Sequence, residues 1–390
     1  MSAMAGRGAV ITGVGAVSSY GRSMAALHRG LASQVRNLRS FPLSDGREQL
    51  VGIVEGDFSA DLSRSTQLAL WAAEEALADF SATERAQTAI ILGGTTGGMR
   101  GTEAHFLDAP LGGLDAFTRQ TVAQHPVYEA TNTLAEKLGL GGPRSTLISA
   151  CSSGLNTTIL AQRWLASGMA KRVLAVGTDA VCRLTLTGFA SLGAVDPQGA
   201  RPFQRERKGI SIGEGAAAFV IERDGARPAR ARLLGNAIIA EAFHATQPDP
   251  SGNGAERAMR QAMHEANVAA GDIDAVSAHG TGTPHNDAME CAAIARVFND
   301  GTARPLVSSQ KSQLGHTLGA AGSLELAACV AMIENDVVYA TFGLSEENLD
   351  PACANVAHVL AAPQPRRLRA LIKNSFAFGG QNACVVLGAP

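Results

Sequence analysis

A sulfur nucleophile and two imidazoles are the residues whose surroundings suit covalent chemistry. Cys151 lies in Ser149-Ala150-Cys151-Ser152-Ser153-Gly154, where an apolar run gives way to small residues that suit a helix start. A side chain displayed at such a turn faces the positive end of the helix dipole, which favours the thiolate, the nucleophilic form of cysteine. The same free amides suit the oxyanion of a tetrahedral intermediate. A buried structural cysteine is the competing reading, because free cysteine is among the most buried residue types. Cys182, Cys291, Cys329, Cys353 and Cys384 lack this setting and read as core or incidental.

His279 opens His279-Gly280-Thr281-Gly282-Thr283-Pro284 directly after the apolar run 273–278. His316 closes Lys311-Ser312-Gln313-Leu314-Gly315-His316, which follows the run 306–309. The glycines let backbone and substrate approach closely, while the imidazoles and hydroxyls offer hydrogen bonds. A lone loop histidine is more often a satisfied surface or core residue, and His244, His264 and His285 are read that way. In α/β sheets, ligands bind beyond the carboxyl ends of strands. Cys151, His279 and His316 all fall there, so they are taken together.

The elements that must position them come in two series. Short β-branched runs lie at 9–12, 88–92, 146–149, 172–176 and 217–221, then at 231–239, 273–278, 306–309, 370–374 and 383–387. Runs without clean alternation suit strands buried on both faces. Between them, 65–80 carries an apolar stripe of Leu70, Ala73, Leu77 and Phe80, and Met259 and Met263 share a face of 256–268. Segments 155–169 and 318–334 are apolar nearly all round, which predicts central buried helices. Two series of five strands predict a duplicated α/β architecture with its changeover in the charged stretch 223–230. Segments 107–124 and 243–253 read as irregular.

Composition narrows the class. With 46% apolar and 17% charged residues in 390, the chain can bury a large core. A net charge of −2 gives no global case for nucleic acid or an anionic membrane. Six scattered cysteines without CxxC spacing suit a reduced, cytosolic protein. No apolar stretch reaches the roughly 18 residues of a membrane span, and the glycine-interrupted N-terminal run reads as a strand.

The motifs at 150–154, 279–283, 311–322 and 374–380, with Ile212-Gly213-Glu214-Gly215-Ala216 between them, stand in the order and spacing of a known family. Over essentially its whole length the chain resembles the elongating β-ketoacyl-acyl carrier protein synthases, type II condensing enzymes of the thiolase superfamily. The resemblance implies a thiolase fold: two duplicated five-stranded mixed-sheet halves in a five-layer α-β-α-β-α arrangement. The half at 1–228 would hold the nucleophile and the half at 229–390 the two histidines. It implies that Cys151 accepts an acyl chain and that His279 and His316 bind the malonyl thioester for decarboxylative condensation. The amides of Cys151 and Phe378 would form the oxyanion hole, with Phe378 also gating the site. Thr281 and Thr283 would hold the pantetheine arm, Lys311 and Glu325 would order the site near His316, and Phe189 and Thr96 would line the acyl tunnel. Substrates would arrive on the phosphopantetheine of an acyl carrier protein, with no resident cofactor. Arg201, Arg205, Arg207 and Lys208 form a basic cluster suited to that acidic partner, against the plainer reading of a solvated charged loop. A homodimer is expected, or a heterodimer with a ketosynthase-like partner.

Two departures carry expectations of their own. Ala377 and Gln381 stand where the family commonly has Gly and Thr, and Ala377 predicts a stiffer gate. Ser277, Glu325, Lys373 and Asn374 fall where some relatives hold a monovalent cation; Lys373 is expected to put its ammonium there instead, paired with Glu325, so no metal is expected. The rivals are a chain-length factor, which usually lacks the cysteine, and a thiolase, which carries a second catalytic cysteine where this chain has Phe378-Gly379-Gly380. A cysteine hydrolase would leave the second histidine loop without a role. Primary fatty acid synthesis and a specialised polyketide or polyene pathway both fit.

Overall fold

Each of the ten apolar runs overlaps a strand in the computed structural model, which describes residues 8–43, 46, 48–108, 116–298 and 304–390. The run 146–149 is the poorest match, its strand being Arg144–Leu147, which is not buried and leaves Ile148 exposed. The first half contributes Ala9–Val17, Ala89–Gly93, Arg144–Leu147, Arg172–Asp179 and Gly215–Arg223. The second contributes Ala231–Ala240, Ile273–Ser277, Leu306–Ser308, Ala370–Ala377 and Gln381–Gly388. Counted in chain order within each half, both sets lie side by side as 1-5-4-2-3, running outward from a common seam. In both, neighbours 1–5 and 5–4 are antiparallel, and 4–2 and 2–3 are parallel. Identical order and direction make the duplication plain where sequence self-similarity is weak. The seam is short, pairing Ala9 to Ile11 with Ala231 to Leu233.

Helices Ser153–Ser167 and Ala321–Glu334 pack on each other and on strands of both halves, so they form the central layer. Arg64–Ala76 and Val127–Leu138 cover the first strand set from outside, and Asn253–Ala266, backed by Pro284–Val297, covers the second. This is the five-layer α-β-α-β-α arrangement. The central helices touch through glycine. A Cβ on Gly154 would stand 2.7 Å from the Gly319 carbonyl oxygen, and one on Gly322 would stand 2.7 Å from Leu155 Cβ. Backbone contact of this kind brings the start of the Cys151 helix against the segment that follows His316.

Ala321–Glu334 is buried from Ala321 through Ile333, as an all-apolar helix must be. Ser153–Ser167 is buried only over its first half, because Arg163, Ala166 and Ser167 emerge to solvent. The stripe Leu70, Ala73, Leu77 and Phe80 is buried, although the helix stops at Ala76 and the last two sit in the following turn. Segment 107–124 is not irregular throughout: helices Met99–Asp108 and Ala116–Ala123 enter it from either side. Residues 109–115 of that segment lie outside the described residues. Of the expected irregular segment 243–253, residues 243–252 form neither helix nor strand, and Asn253 is the first residue of helix Asn253–Ala266. Among the described residues, no helix is long and apolar enough to cross a membrane.

Candidate active site

The turn between strand Arg144–Leu147 and helix Ser153–Ser167 is built around one strained residue. Ala150 takes φ +47°, a left-handed backbone that costs a residue with a Cβ and recurs at functional turns. Ser153 Oγ donates to the Ala150 carbonyl at 2.7 Å and accepts from the Ser149 amide at 2.9 Å, which locks the turn. Cys151 follows, buried, with its own amide against its sulfur. Here the structure corrects an expectation. Burial pushes the thiol from its ordinary 9.0 up to about 12, and the Lys311 charge only partly opposes this. That rise corresponds to about 4 kcal/mol, whereas a helix terminus supplies at most about 2 kcal/mol. The resting nucleophile is a thiol.

His316 is held by its backbone on both sides: its amide donates to the Ser211 carbonyl at 2.6 Å, and its carbonyl accepts from Gly213 at 2.9 Å. Its Nδ1 accepts from the Leu318 amide at 3.1 Å, which leaves Nε2 as the protonated nitrogen of the neutral ring. His279 is fixed by a carboxylate that the sequence reading missed. Glu290 accepts the His279 and Gly280 amides at 2.8 Å each, and Asn374 Nδ2 at 3.1 Å. The two rings stand edge to face, 5.6 Å between centroids, and Phe376 packs on His279 at 5.5 Å. Burial first, then the Lys311 ammonium, holds both imidazoles well below the ordinary 6.5, so both are neutral donors. His279 Nδ1 has no partner among the described residues.

Behind the histidines lies a fully buried charge cluster. Lys311 Nζ donates to Glu325 Oε1 at 2.5 Å and to the His279 carbonyl at 2.7 Å. Lys373 Nζ stands 2.6 Å from Glu325 Oε2, an ion pair off the hydrogen-bond axis, and also contacts the Asn374 carbonyl. Ser277 Oγ donates to Gln310 at 3.0 Å. Burial lowers the Lys311 ammonium and raises Glu290.

Cys151, His279 and His316, from three distant segments, line one cavity of about 480 Å³ together with Thr281, Thr283 and Phe378. Phe378 is 40% exposed at its edge and meets Phe189 at 5.7 Å between ring centroids.

Residues 7–226 match the β-ketoacyl synthase N-terminal domain and residues 230–345 the β-ketoacyl synthase C-terminal domain. The chain belongs to the β-ketoacyl synthase family. It is 31% identical to "3-oxoacyl-[acyl-carrier-protein] synthase 2" of Rhizobium meliloti (strain 1021), over 98% of each chain. It is also 31% identical to "Tetracenomycin polyketide synthase ketoacyl synthase alpha subunit" of Streptomyces glaucescens, over 98% of this chain and 97% of the other. Among solved structures, "The ishigamide ketosynthase/chain length factor" matches with a TM-score of 0.90 and 30% identity, covering 99% of this chain and all of that one.

Other candidate residues of this β-ketoacyl synthase sort by their contacts. The Thr281 and Thr283 hydroxyls meet at 2.9 Å, with Thr281 also tied to Asp287. Thr96 does not line the Cys151 cavity. Its hydroxyl donates to the buried Asp179 at 2.8 Å, and the residue borders a separate cavity of about 460 Å³ with Tyr128 and Ile148. Arg207 is not part of a docking surface either. It is buried, and its guanidinium meets Asp350 and Asp287. Arg201 is drawn onto Asp196 at 2.8 Å, whereas Arg205 and Lys208 stay exposed and Lys208 reaches the cavity wall. His244 and His285, read as incidental, both line the cavity, while His264 is a surface residue. Asp287 and Glu290 had a detectable signal: two carboxylates at i and i+3 on the buried face of Pro284–Val297, one turn after the His279 loop.

Proposed function

We propose that the chain is an elongating 3-oxoacyl-[acyl-carrier-protein] synthase, an acyltransferase that performs decarboxylative Claisen condensation. The convergence of Cys151, His279 and His316 on one cavity beside Phe378 carries this reading. In the first half-reaction, Cys151 Sγ attacks the thioester carbonyl of an acyl carrier protein. The new C–S bond forms, the carrier's C–S bond breaks, and the thiol proton leaves on the carrier's sulfur. The amides of Cys151 and Phe378 hold the oxyanion.

In the second half-reaction, the Nε2 protons of His279 and His316 meet the carbonyl oxygen of a malonyl thioester. The bond to the carboxylate breaks, CO2 leaves, and the electron pair passes to that oxygen as an enolate. Fixed donors in a dry site favour the enolate over the ground state. The enolate carbon then attacks acyl-Cys151, the C–C bond forms, the C–S bond breaks, and the sulfur regains a proton from solvent. Thr281 and Thr283 steady the pantetheine arm, and Phe189 and Phe378 gate the acyl side. Lys311 and Glu325 order the histidine loops, with Lys373 filling the remaining side of Glu325 in place of a metal. Substrates carry their own phosphopantetheine, so no resident cofactor is invoked.

The chain divides functionally at about residue 228, works in the cytoplasm and docks its acidic carrier through Arg205 and Lys208. A homodimer is the expected assembly, supported by the open edge strand Arg144–Leu147 and the exposed Tyr128 and Ile148 beside it. A chain-length-factor partner is the alternative, on the strength of the ishigamide match. Retention of Cys151 with both histidines argues against the chain itself being such a factor. The deciding experiment is intact-mass analysis with a panel of acyl carrier proteins, followed by CO2 release from malonyl carrier protein. Acylation confined to Cys151 supports the assignment; an unmodified Cys151 with every carrier refutes it.

A further inference from the structure

The turn that carries Phe378 closes an antiparallel hairpin of Ala370–Ala377 and Gln381–Gly388, with Ala377 opposite Gln381. Both strands of that hairpin grip the nucleophile's turn. From the first, Ser375 Oγ donates to the Cys151 carbonyl at 3.1 Å. From the second, Gln381 Oε1 accepts Ser152 Oγ at 2.7 Å and Asn156 Nδ2 at 2.6 Å. Asn156 Nδ2 also reaches Ser149 Oγ at 2.9 Å, so one amide joins the hairpin to both ends of the turn that presents Cys151.

We propose that Gln381 is a positioning residue that fastens the Phe378 turn to the start of the Cys151 helix. Ser152 has a single hydroxyl proton with two short options. It can go to the Ser149 carbonyl at 2.8 Å, inside its own helix start, or across to Gln381. Without an acceptor at 381, it falls back on the local partner and the link from the hairpin to Ser152 and Asn156 is lost. Gly379 and Gly380, at φ +89° and +75°, cannot supply stiffness of their own. The inference rests on the reading above, in which the Phe378 amide must stand against the acyl carbonyl on Cys151. A loose turn would spoil that placement without hindering access to the sulfur.

The test compares Q381M, which keeps length and packing but cannot accept, with Q381N, whose amide is one methylene too short. N156A and the Q381M/N156A pair complete the set. Two rates are read on the full chain: acylation of Cys151 from an acyl carrier protein, by rapid-quench mass analysis, and alkylation of the same thiol by iodoacetamide, which uses no oxyanion hole. Loss of the two hydrogen bonds should slow acylation about tenfold in Q381M and Q381N. Alkylation should stay within about twofold, and the double variant should be little slower than Q381M, since both act on one link. Wild-type acylation rates in Q381M and Q381N would overturn the proposal, as would alkylation falling in step with acylation. If the wild-type chain itself does not acylate, the synthase reading fails; if it acylates and Q381M equals it, this inference fails alone.

Discussion

Leu318 donates its backbone amide to Nδ1 of His316, two residues before it, and does so from a left-handed backbone at φ +51°. That bond settles the proton on Nε2, the nitrogen left free to meet a substrate oxygen. A leucine with a Cβ is strained in that conformation, and the strain is stored where the ring must be aimed. The Ser211 and Gly213 backbone holds the same histidine from its other side.

Removing either ring should separate the two half-reactions. H279A and H316A should each cut CO2 release from malonyl carrier protein about 10²–10³-fold, the usual loss for one aimed donor to a developing oxyanion. Acylation of Cys151 should change only a few-fold, because neither ring takes part in that transfer. Equal loss of both steps would show that the histidines act on the thiol instead.

The pH profile should report neutral imidazoles. Burial holds both rings well below 6.5, so the donor form persists as pH falls past that value, and the acid limb of CO2 release should lie well below 6.5. Stability has a matching sign. Below 6.5 the unfolded chain takes up protons that the folded chain refuses, so unfolding becomes easier as the solution is acidified. A limb centred at 6.5 in the pH–rate curve would mean rings open to water.

For Cys151 the direction is opposite. With the thiol held up at about 12, the thiolate fraction climbs tenfold per pH unit through the neutral range. Iodoacetamide alkylation should therefore rise log-linearly from pH 7 past pH 9 without levelling. A plateau near pH 7 would show that the helix terminus outweighs burial after all.

The buried cluster should be asymmetric toward mutation. Glu325→Gln leaves the Lys311 and Lys373 ammoniums buried without their shared anion, for which about 3–5 kcal/mol of lost stability is expected. Lys373→Met keeps the Lys311–Glu325 pair and should lose clearly less. Urea midpoints of the two variants give the order, and the reverse order would contradict the arrangement.

Carrier use should depend on the exposed cations only. R205E/K208E should raise KM for acyl carrier protein severalfold while sparing a small acyl thioester. R207E should lower stability and activity toward both substrates, because Arg207 lies against Asp287 and Asp350. Reversed behaviour of these variants would restore Arg207 to the docking surface.

The fold was legible because its signals are local. A strand buried on both faces must be apolar along its length, so 217–221 or 383–387 announces itself without knowledge of its neighbours. The glycine-flanked histidines and the small residues around Cys151 are likewise visible in a few positions each. The Cys151 turn carries a strained Ala150 rather than glycine, and that choice could not be read from residue type. Segment 107–124 misled because one proline and two adjacent glycines sit between the helical stretches on either side.

Sequence alone determined which groups could react, where the ten strands of the two matching sets lie, and the order in which the reactive loops follow one another; short strands such as Arg39–Pro42 and Ala357–His358 escaped it. Tertiary structure decided what each group has around it. Glu290 meets the His279 loop, Thr96 turns to Asp179 and Arg207 sinks between two aspartates because distant segments were brought together. It also decided that Cys151 rests as a thiol. Helix position is written in the neighbouring residues, but desolvation depends on everything packed over the sulfur, and only the folded chain supplies that.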